Sequence, residues 1–283
     1  MIIVQISDLH VTRKGGLVVG KVDTAGSLAR CVEKILKLEP RADALFASGD
    51  LTENGAPEEY RHLHELLAPL TMPVYLMPGN HDDRDSLCAA FPGHKYLIPD
   101  AAQTINPLPP GEGRVREKAS AAFLDYVVEM QGLRMIALDT VVPRRGGGML
   151  RAEQLLWLDE RLADAETPAL IFLHHPPFAT GIGFMDKIAL ANPDELGRVI
   201  EKHHNVEAIV CGHVHRAMCR RWHGTVAMSC PSPAHQITLD LRSGGSESFI
   251  MEPPGFLLHY WNGTNLVSHT VPAGDFAGPY SFE

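Results

Sequence analysis

Residues 74–83 read Val-Tyr-Leu-Met-Pro-Gly-Asn-His-Asp-Asp, an apolar run that passes directly into a polar turn. Proline followed by glycine and asparagine is ordinary turn chemistry, so Val74–Met77 is predicted to be a short buried strand that ends there. The turn also carries an amide oxygen, an imidazole and carboxylates. Its composition predicts either a local capping structure or a site that holds a ligand.

Other short apolar runs share the character of Val74–Met77, and helix-like segments separate several of them. The runs are Ile2–Ile6, Ala44–Ala47, Met135–Leu138, Leu170–Leu173 and Ala208–Cys211. Apolar residues at helical spacing predict helices over Thr24–Leu38, Pro57–Leu67, Arg151–Ala165 and Pro193–His203. Alternating strands and helices predict an α/β fold. Gln131-Gly132, between two strand-like runs, predicts a hairpin and therefore a mixed sheet.

The composition of the chain argues against some classes of binding partner. The formal net charge of −9 argues against a general affinity for DNA or RNA. No apolar segment approaches the length of a membrane span, and residues 1–10 lack the basic start of a signal peptide. The five cysteines show no CxxC spacing, which is typical of a reduced compartment. We therefore expect a cytoplasmic protein whose partners include neither a membrane nor a nucleic acid polymer.

Polar side chains collect just after the predicted strands. In chain order these are Asp8 and His10, then Asp50, then Asn80 and His81, then His174 and His175, then His213 and His215. Open α/β sheets bind ligands at the carboxyl ends of their strands. Asp8 and His10 are two positions apart, so in an extended chain their side chains face the same side. Each group alone is a weak signal, but together they predict one site.

The residue types in this set indicate metal ions. Carboxylate, imidazole and amide groups without cysteine argue against a structural zinc site. Mixed nitrogen and oxygen ligands suit Mn, Fe, Zn or Co. The ligands are too many for one ion, and Asp50, near the middle of the set, could bridge two. Two ions about 3.5–4 Å apart are the usual device for displacement at phosphorus. The sequence therefore predicts a site for two divalent metal ions.

The motifs also resemble those of a known family. Asp8-x-His10, Gly49-Asp50, Gly79-Asn80-His81-Asp82, His174 and Gly212-His213-x-His215 are similar to the five blocks of the calcineurin-like binuclear metallophosphoesterases. Within that family the chain resembles the class III cyclic-nucleotide phosphodiesterase branch, and most closely the bacterial glycerophosphodiesterases. The resemblance covers residues 1–240 and resumes at Phe276–Pro279. It implies two packed mixed β-sheets flanked by helices, an αββα sandwich.

The resemblance also implies roles for individual residues. Asp8, His10 and His215 would bind one metal ion, Asn80, His174 and His213 the other, and Asp50 and a hydroxide would bridge them. A metal-bound hydroxide would then attack the phosphorus of a small phosphodiester. Asn80, His81 and His235 would contact the substrate. His81 would also protonate the leaving alkoxide, and the alternative is that it orients Asn80 or a metal ligand. For His235 the alternative is a surface histidine at a strand start.

The resemblance and the chain pattern together divide the sequence. We expect a metallophosphoesterase catalytic domain over residues 1–240 and a C-terminal extension over 241–283. After about Thr225 the pattern changes to the short strand-like runs Thr225–Met228, Gln236–Leu241, Gly255–Trp261 and Leu266–Val271. The apolar runs after about residue 240 have little core left to join. The expected use of the extension is contact within a homo-oligomer, a dimer or a multiple of dimers, and shaping of the pocket rim. Pro92–Ala119 and Arg242–Pro254 are predicted surface excursions.

Two departures from related families favour a diester substrate. Purple acid phosphatases carry a tyrosine three residues after the bridging aspartate, where this chain has Glu53. Ser/Thr protein phosphatases use an arginine of this block to grip a phosphomonoester dianion, and residues 50–55 contain none. Glu53 would moreover repel a dianion. Among diesters, the resemblance to the glycerophosphodiesterases implies that glycerophosphodiesters are the favoured substrates.

Three alternatives to the glycerophosphodiesterase stay open. The first is hydrolysis of 3′,5′-cyclic nucleotides, in which Phe184, Trp222 or Phe91 would stack on the base. The second, a DNA exonuclease, is disfavoured by the acidic charge. The third is a non-catalytic scaffold with this fold, and it is disfavoured because every ligand position of the motif is filled.

Overall fold

The structure, a computed structural model, describes residues 1–97, 104–105 and 123–282. Its strands in chain order are β1 (Ile2–Ile6), β2 (Ala44–Ser48), β3 (Val74–Met77), β4 (Thr104–Ile105), β5 (Tyr126–Met130), β6 (Leu133–Leu138), β7 (Ala169–Leu173), β8 (Val206–Cys211), β9 (Met218–Trp222), β10 (Thr225–Ser229), β11 (Gln236–Ile237), β12 (Phe249–Ile250), β13 (Gly255–Trp261) and β14 (Leu266–Pro272). Its helices are α1 (Thr24–Leu36), α2 (Pro57–Leu67), α3 (Arg84–Ala90), α4 (Ala152–Leu162), α5 (Gly183–Asp186) and α6 (Pro193–Ile200), with one 3₁₀ turn at Lys95–Leu97.

The strands form two mixed sheets. One has the order β14-β13-β1-β2-β3, with β1, β2 and β3 parallel and β13 antiparallel to β1. The other has the order β4-β5-β6-β7-β8-β10-β9, with a parallel centre from β6 to β10. β11 and β12 form a separate two-stranded ribbon. The predicted fold class is therefore confirmed, including its mixed strand directions.

Three apolar layers hold the sandwich together. Between the sheets, Phe46 of β2 stacks on Phe172 of β7 with ring centroids 4.2 Å apart. Outside the first sheet, α1 buries Leu28 and Ile35 against β1 and β2. Outside the second sheet, α4 and α6 cover β6, β7 and β8. Because the central strands are buried on both faces, their sequences are continuously apolar rather than alternating.

The element boundaries follow the sequence patterns closely in the first two thirds of the chain. The hairpin predicted around Gln131-Gly132 joins β5 to β6, and both turn residues have positive φ, 48° and 77°. That conformation matches the twist of two-residue hairpins. The predicted strand Gln236–Leu241 is shorter, ending at Ile237. Within Pro92–Ala119, residues 98–103 and 106–119 lie outside the described residues.

Two of the strands after residue 240, β13 and β14, belong to the first sheet. β13 pairs along β1 from Ile2↔Tyr260 to Gln5↔Leu257, and β14 pairs along β13. Phe256 is buried in the outer core and Trp261 between the sheets. The expectation that these strands have little core to join is therefore wrong, because β1 leaves one edge open for them. The boundary at 240 and the role of 241–283 in subunit contact stay predictions.

A buried histidine makes the fold sensitive to acid. His259 of β13 is fully buried between Gln5 Oε1 and Ser268 Oγ, at 3.2 and 2.7 Å, and burial lowers its pKa to about 3. The unfolded chain takes up this proton near pH 6.5, so the neutral folded form loses stability as the pH falls from 6.5 towards 3. For one such histidine, the free energy of unfolding falls by about 2 kcal/mol between pH 6.5 and pH 5. We expect urea unfolding of His259→Gln to show a shallower acid slope than the wild type, and equal slopes would contradict this.

Across residues 1–97, 104–105 and 123–282, no helix combines the length and the apolar character that crossing a bilayer requires.

Candidate metal centre

The carboxyl ends of five parallel strands meet at one edge of the sandwich. β1, β2 and β3 of the first sheet deliver the loops that carry Asp8, Asp50 and Asn80, and β7 and β8 of the second deliver His174 and His213. The two sheets are tied together here, since His174 Nδ1 lies 2.9 Å from the carbonyl oxygen of Ser48. The backbone N–H of His213 donates to Asp8 Oδ1 at 2.8 Å. The predicted site residues are thus brought together from both sheets.

The backbone at these strand ends is unusual. The candidate ligands with φ in the left-handed region are Asp8 (57°), His10 (44°), Asp50 (47°), His213 (71°) and His215 (55°). Residues with a side chain rarely adopt this conformation, and such strain concentrates at functional sites. The chain is therefore not extended between Asp8 and His10, and that part of the prediction is wrong. The strained turns aim successive side chains into one volume.

The side-chain atoms form two groups with Asp50 between them. In the first group, His215 Nε2 is 3.1 Å from His10 Nε2 and 3.8 Å from Asp8 Oδ1. In the second, His174 Nε2 is 3.2 Å from Asn80 Oδ1. Asp50 Oδ2 lies 3.6 Å from His10 Nε2 and 3.3 Å from His174 Nε2. One carboxylate oxygen therefore faces both groups.

Two atoms of the cluster fit bound cations. Asp8 Oδ2 and His213 Nε2 are buried, and neither has a hydrogen-bond partner among the described residues. An unpaired buried oxygen or nitrogen is costly, so such atoms call for a partner. A bound cation could accept a lone pair from each of these atoms. The donor set of carboxylates, imidazoles and one amide suits borderline divalent ions, as the sequence predicted.

Two glycines allow the loops that carry the candidate ligands to pack closely together. A Cβ at Gly79 would collide with Asp50, and one at Gly212 would collide with the side chain of Ser7. The glycines of the Gly-Asn-His and Gly-His motifs are thus needed for close packing of the ligand loops.

The pKa values of the candidate ligands are shifted in both directions. Burial opposes ionisation of Asp50, but the charge of His174 and its hydrogen bond outweigh burial, and the pKa of Asp50 lies well below its ordinary value. Burial, aided by the charge of Asp50, raises the pKa of Asp8 to about 6. Burial also holds the pKa of His213 and of His215 well below the ordinary value for histidine. Burial opposes protonation of His174, but the charge of Asp50 and its hydrogen bond raise the pKa of His174 to about 9. A metal ion binds the neutral imidazole, so binding at His174 would displace a proton.

The outer ring nitrogens of the candidate ligands are fixed by acceptors. Besides the contact of His174 with Ser48, His215 Nδ1 lies 3.1 Å from the carbonyl oxygen of His235. His10 Nδ1 lies 2.8 Å from Glu53 Oε2. In the neutral form of each ring, the contact places the proton on Nδ1 and leaves the lone pair of Nε2 for a metal ion. Sequence reasoning missed this use of Glu53, because the link depends on the fold of the loop after β2.

Asp82 is a second residue whose role the sequence did not indicate. Its oxygens accept hydrogen bonds from the backbone N–H groups of Leu51 (2.9 Å), Thr52 (3.1 Å) and Gly79 (2.9 Å), and from the hydroxyl of Tyr60 (2.9 Å). It therefore joins the loop of Asp50 to the loop of Asn80. The neighbouring Asp83 instead caps α3 by accepting from Ser86 N.

His81 and His235 flank the first group. The His81 ring lies 4.7 Å from that of His10, and its side chain is 38% exposed, so His81 reaches solvent beside the first group. His235 is 6% exposed, with its ring 4.7 Å from that of His215. The alternative of a surface histidine at 235 is wrong, because His235 is packed between the cluster and Phe249. Its role in substrate binding stays a prediction.

His175 is adjacent to the cluster and already engaged. Its Nδ1 lies 2.7 Å from Thr140 Oγ1 and its Nε2 lies 3.0 Å from the carbonyl oxygen of Gly146. Both ring nitrogens therefore have partners, which fits a structural role.

Two of the three aromatic residues predicted to stack on a base lie in the apolar cores. Phe91 packs in the core beside α2, and Trp222 packs in the core outside the second sheet. Phe184 is half-buried and packs against the cluster of Ile182, Met185 and Val214. Phe184 therefore shares an apolar cluster with Val214, which lies between His213 and His215 in the sequence.

Comparison with known proteins agrees with this geometry. Residues 1–217 match the family model described as calcineurin-like phosphoesterase. A probable glycerophosphodiester phosphodiesterase of Arcobacter nitrofigilis is 35% identical over 100% of this chain and 97% of its own. A 3′,5′-cyclic-nucleotide phosphodiesterase of Nostoc is 30% identical over 90% and 86%.

Solved structures share the fold. A dimetal phosphatase from Danio rerio superimposes with a TM-score of 0.66 at 14% identity, covering 97% of both chains. The predicted family is thus confirmed, and so is the prediction of a phosphodiesterase enzyme with metal-binding residues. Its strands, its clustered motifs and the family match over residues 1–217 agree that this chain belongs to the calcineurin-like phosphoesterase family.

Proposed function

We propose that this chain hydrolyses small phosphodiesters of the glycerophosphodiester type with two divalent metal ions, which are Mn, Fe, Zn or Co. The observation that carries the proposal is the cluster around Asp50, in which buried lone pairs of Asp8 and His213 have no partner within the described residues. The relative from Arcobacter nitrofigilis, similar over the full chain, supports the substrate class.

Each ion would have its own ligand set. Asp8, His10 and His215 would hold one, and Asn80, His174 and His213 the other, with the carboxylate of Asp50 shared between them. When bound, the ions supply Lewis acidity towards the phosphoryl oxygens and acidify a water molecule that attacks phosphorus. Neutral Asn80 adds an oxygen ligand without adding charge.

The chain's own residues would orient the diester and handle the leaving group. The backbone N–H of His81 donates to Asp50 Oδ1 at 2.9 Å, and Nδ1 of His81 lies 2.7 Å from the carbonyl oxygen of Glu53. With Nδ1 engaged, Nε2 is left to meet the substrate. A protonated Nε2 would give its proton to the departing alkoxide as the bond between phosphorus and oxygen breaks.

The charge of the site supports a diester. Among the described residues, no lysine or arginine forms an ion pair with the candidate ligands or with Glu53. A monoester dianion needs more positive charge than a diester monoanion. The metal ions alone would balance the single charge of a diester.

Cyclic nucleotides are the second candidate. The relative from Nostoc supports them, and Phe184 beside Val214 offers an aromatic face near the site.

A substrate panel tests the proposal. We expect the manganese-loaded protein to give a kcat/KM for glycerophosphocholine at least about tenfold above that for cyclic AMP and for glycerol 3-phosphate. A preference for cyclic AMP would favour the second candidate, and no turnover of any diester with Mn, Fe, Zn or Co would favour a scaffold.

We also propose that the protein is a cytoplasmic homo-oligomer, a dimer or a multiple of dimers, joined through residues 241–283. Exposed aromatic and apolar side chains support this: Tyr260 and Val267 face each other across β13 and β14, and Phe276 and Tyr280 follow. Such exposure is typical of subunit contacts. Sedimentation equilibrium distinguishes the oligomer from a monomer.

A further inference from the structure

Glu53 contacts two histidines of the candidate metal centre with two different groups. Its carboxylate Oε2 lies 2.8 Å from Nδ1 of His10, and its carbonyl oxygen lies 2.7 Å from Nδ1 of His81. The same Oε2 is 3.9 Å from Nδ1 of His81. One residue therefore touches both a candidate metal ligand and the proposed proton donor.

The carboxylate of Glu53 lies at the solvent-exposed side of the cluster. Its side chain is 24% exposed, compared with 3% for Asp50 and 6% for His10. A phosphoryl group in contact with His81 therefore lies within range of the Glu53 carboxylate. A carboxylate is negative at neutral pH, and across the described residues no lysine or arginine neutralises this one.

We infer that Glu53 determines the charge class of the substrate, disfavouring phosphomonoester dianions relative to phosphodiester monoanions, and that it positions His10 for metal binding. The inference rests on the proposed function. Repulsion grows with the charge of the ligand, so a fixed negative charge near the phosphoryl group disfavours a dianion more than a monoanion. The positioning role follows from the hydrogen bond, which fixes the tautomer and orientation of the His10 ring.

Two substitutions separate the effect of the Glu53 charge from the effect of its hydrogen bond with His10. Glu53→Gln keeps the size and an oxygen that accepts from His10, but removes the charge. Glu53→Ala removes both. Glu58→Gln is the matched control, because Glu58 is an exposed residue in the first turn of α2, five positions away.

The readouts are substrate preference and metal affinity. Bis(p-nitrophenyl) phosphate and p-nitrophenyl phosphate share a leaving group and differ in charge, so their ratio of kcat/KM at about pH 8 reports charge selection. We expect Glu53→Gln to raise the ratio of monoester to diester hydrolysis about tenfold. Manganese affinity measured by calorimetry should fall about tenfold in Glu53→Ala. It should stay near the wild-type value in Glu53→Gln, and Glu58→Gln should change neither quantity.

The outcomes are distinct. Intact diester hydrolysis in Glu53→Gln with an unchanged ratio overturns the charge selection. Equal metal affinity in Glu53→Ala and the wild type overturns the positioning role. If the wild type hydrolyses neither substrate, the proposed function fails, and this inference falls with it.

Discussion

Replacing Asp50 by asparagine is expected to lower kcat for a phosphodiester by about a thousandfold. Asp50 Oδ2 faces both His10 and His174, whereas Oδ1 accepts from the His81 backbone. Asparagine keeps one oxygen for the backbone contact but loses the charge and the second oxygen. It therefore cannot serve two cations. Steady-state kinetics and manganese calorimetry measure the two losses.

A neighbouring aspartate provides the control for Asp50→Asn. Asp83 caps α3 through Ser86 N, and asparagine caps a helix equally well. Asp83→Asn should therefore leave kcat and metal binding unchanged. More than a tenth of wild-type activity in Asp50→Asn would show that this carboxylate does not bridge the two groups.

Replacing His81 by glutamine is expected to slow poor leaving groups far more than good ones. General acid catalysis contributes about a hundredfold to ten-thousandfold when the leaving group needs a proton. The alkoxide of glycerophosphocholine needs one, whereas p-nitrophenolate leaves without it. We therefore expect kcat for glycerophosphocholine to fall by at least about a hundredfold, and kcat for bis(p-nitrophenyl) phosphate by less than about tenfold.

The control for His81→Gln is a histidine far from the site. His203 contacts Asp159 on α4 at 2.7 Å, so His203→Gln should leave both rates unchanged. Equal losses on both substrates in His81→Gln would instead support the alternative in which His81 only orients a metal ligand.

The location of the site is predictable from the sequence because strand direction determines where the polar residues after each strand lie. Short apolar runs mark buried parallel strands, and residues just after them must meet at one edge of a sheet. Asp8, Asp50 and His174 are brought together for that reason, although they are far apart in sequence.

Other parts of the site depend on geometry that a local pattern does not contain. The left-handed turns at Asp8 and His10 and the contact between His10 and Glu53 arise only when neighbouring loops pack. The same holds for Asp82, which joins two ligand loops through hydrogen bonds to backbone N–H groups.

The C-terminal strands illustrate a related limit. The sequence of an apolar strand does not indicate which edge of a sheet the strand will occupy. Gly255–Trp261 therefore looked like an appendage, although it pairs with β1 at the centre of the first sheet.

Anomalous diffraction from crystals soaked in manganese would locate the bound ions directly. We expect two peaks, one against Asp8, His10 and His215 and the other against Asn80, His174 and His213, with Asp50 between them. A single peak, or peaks away from Asp50, would contradict this expectation.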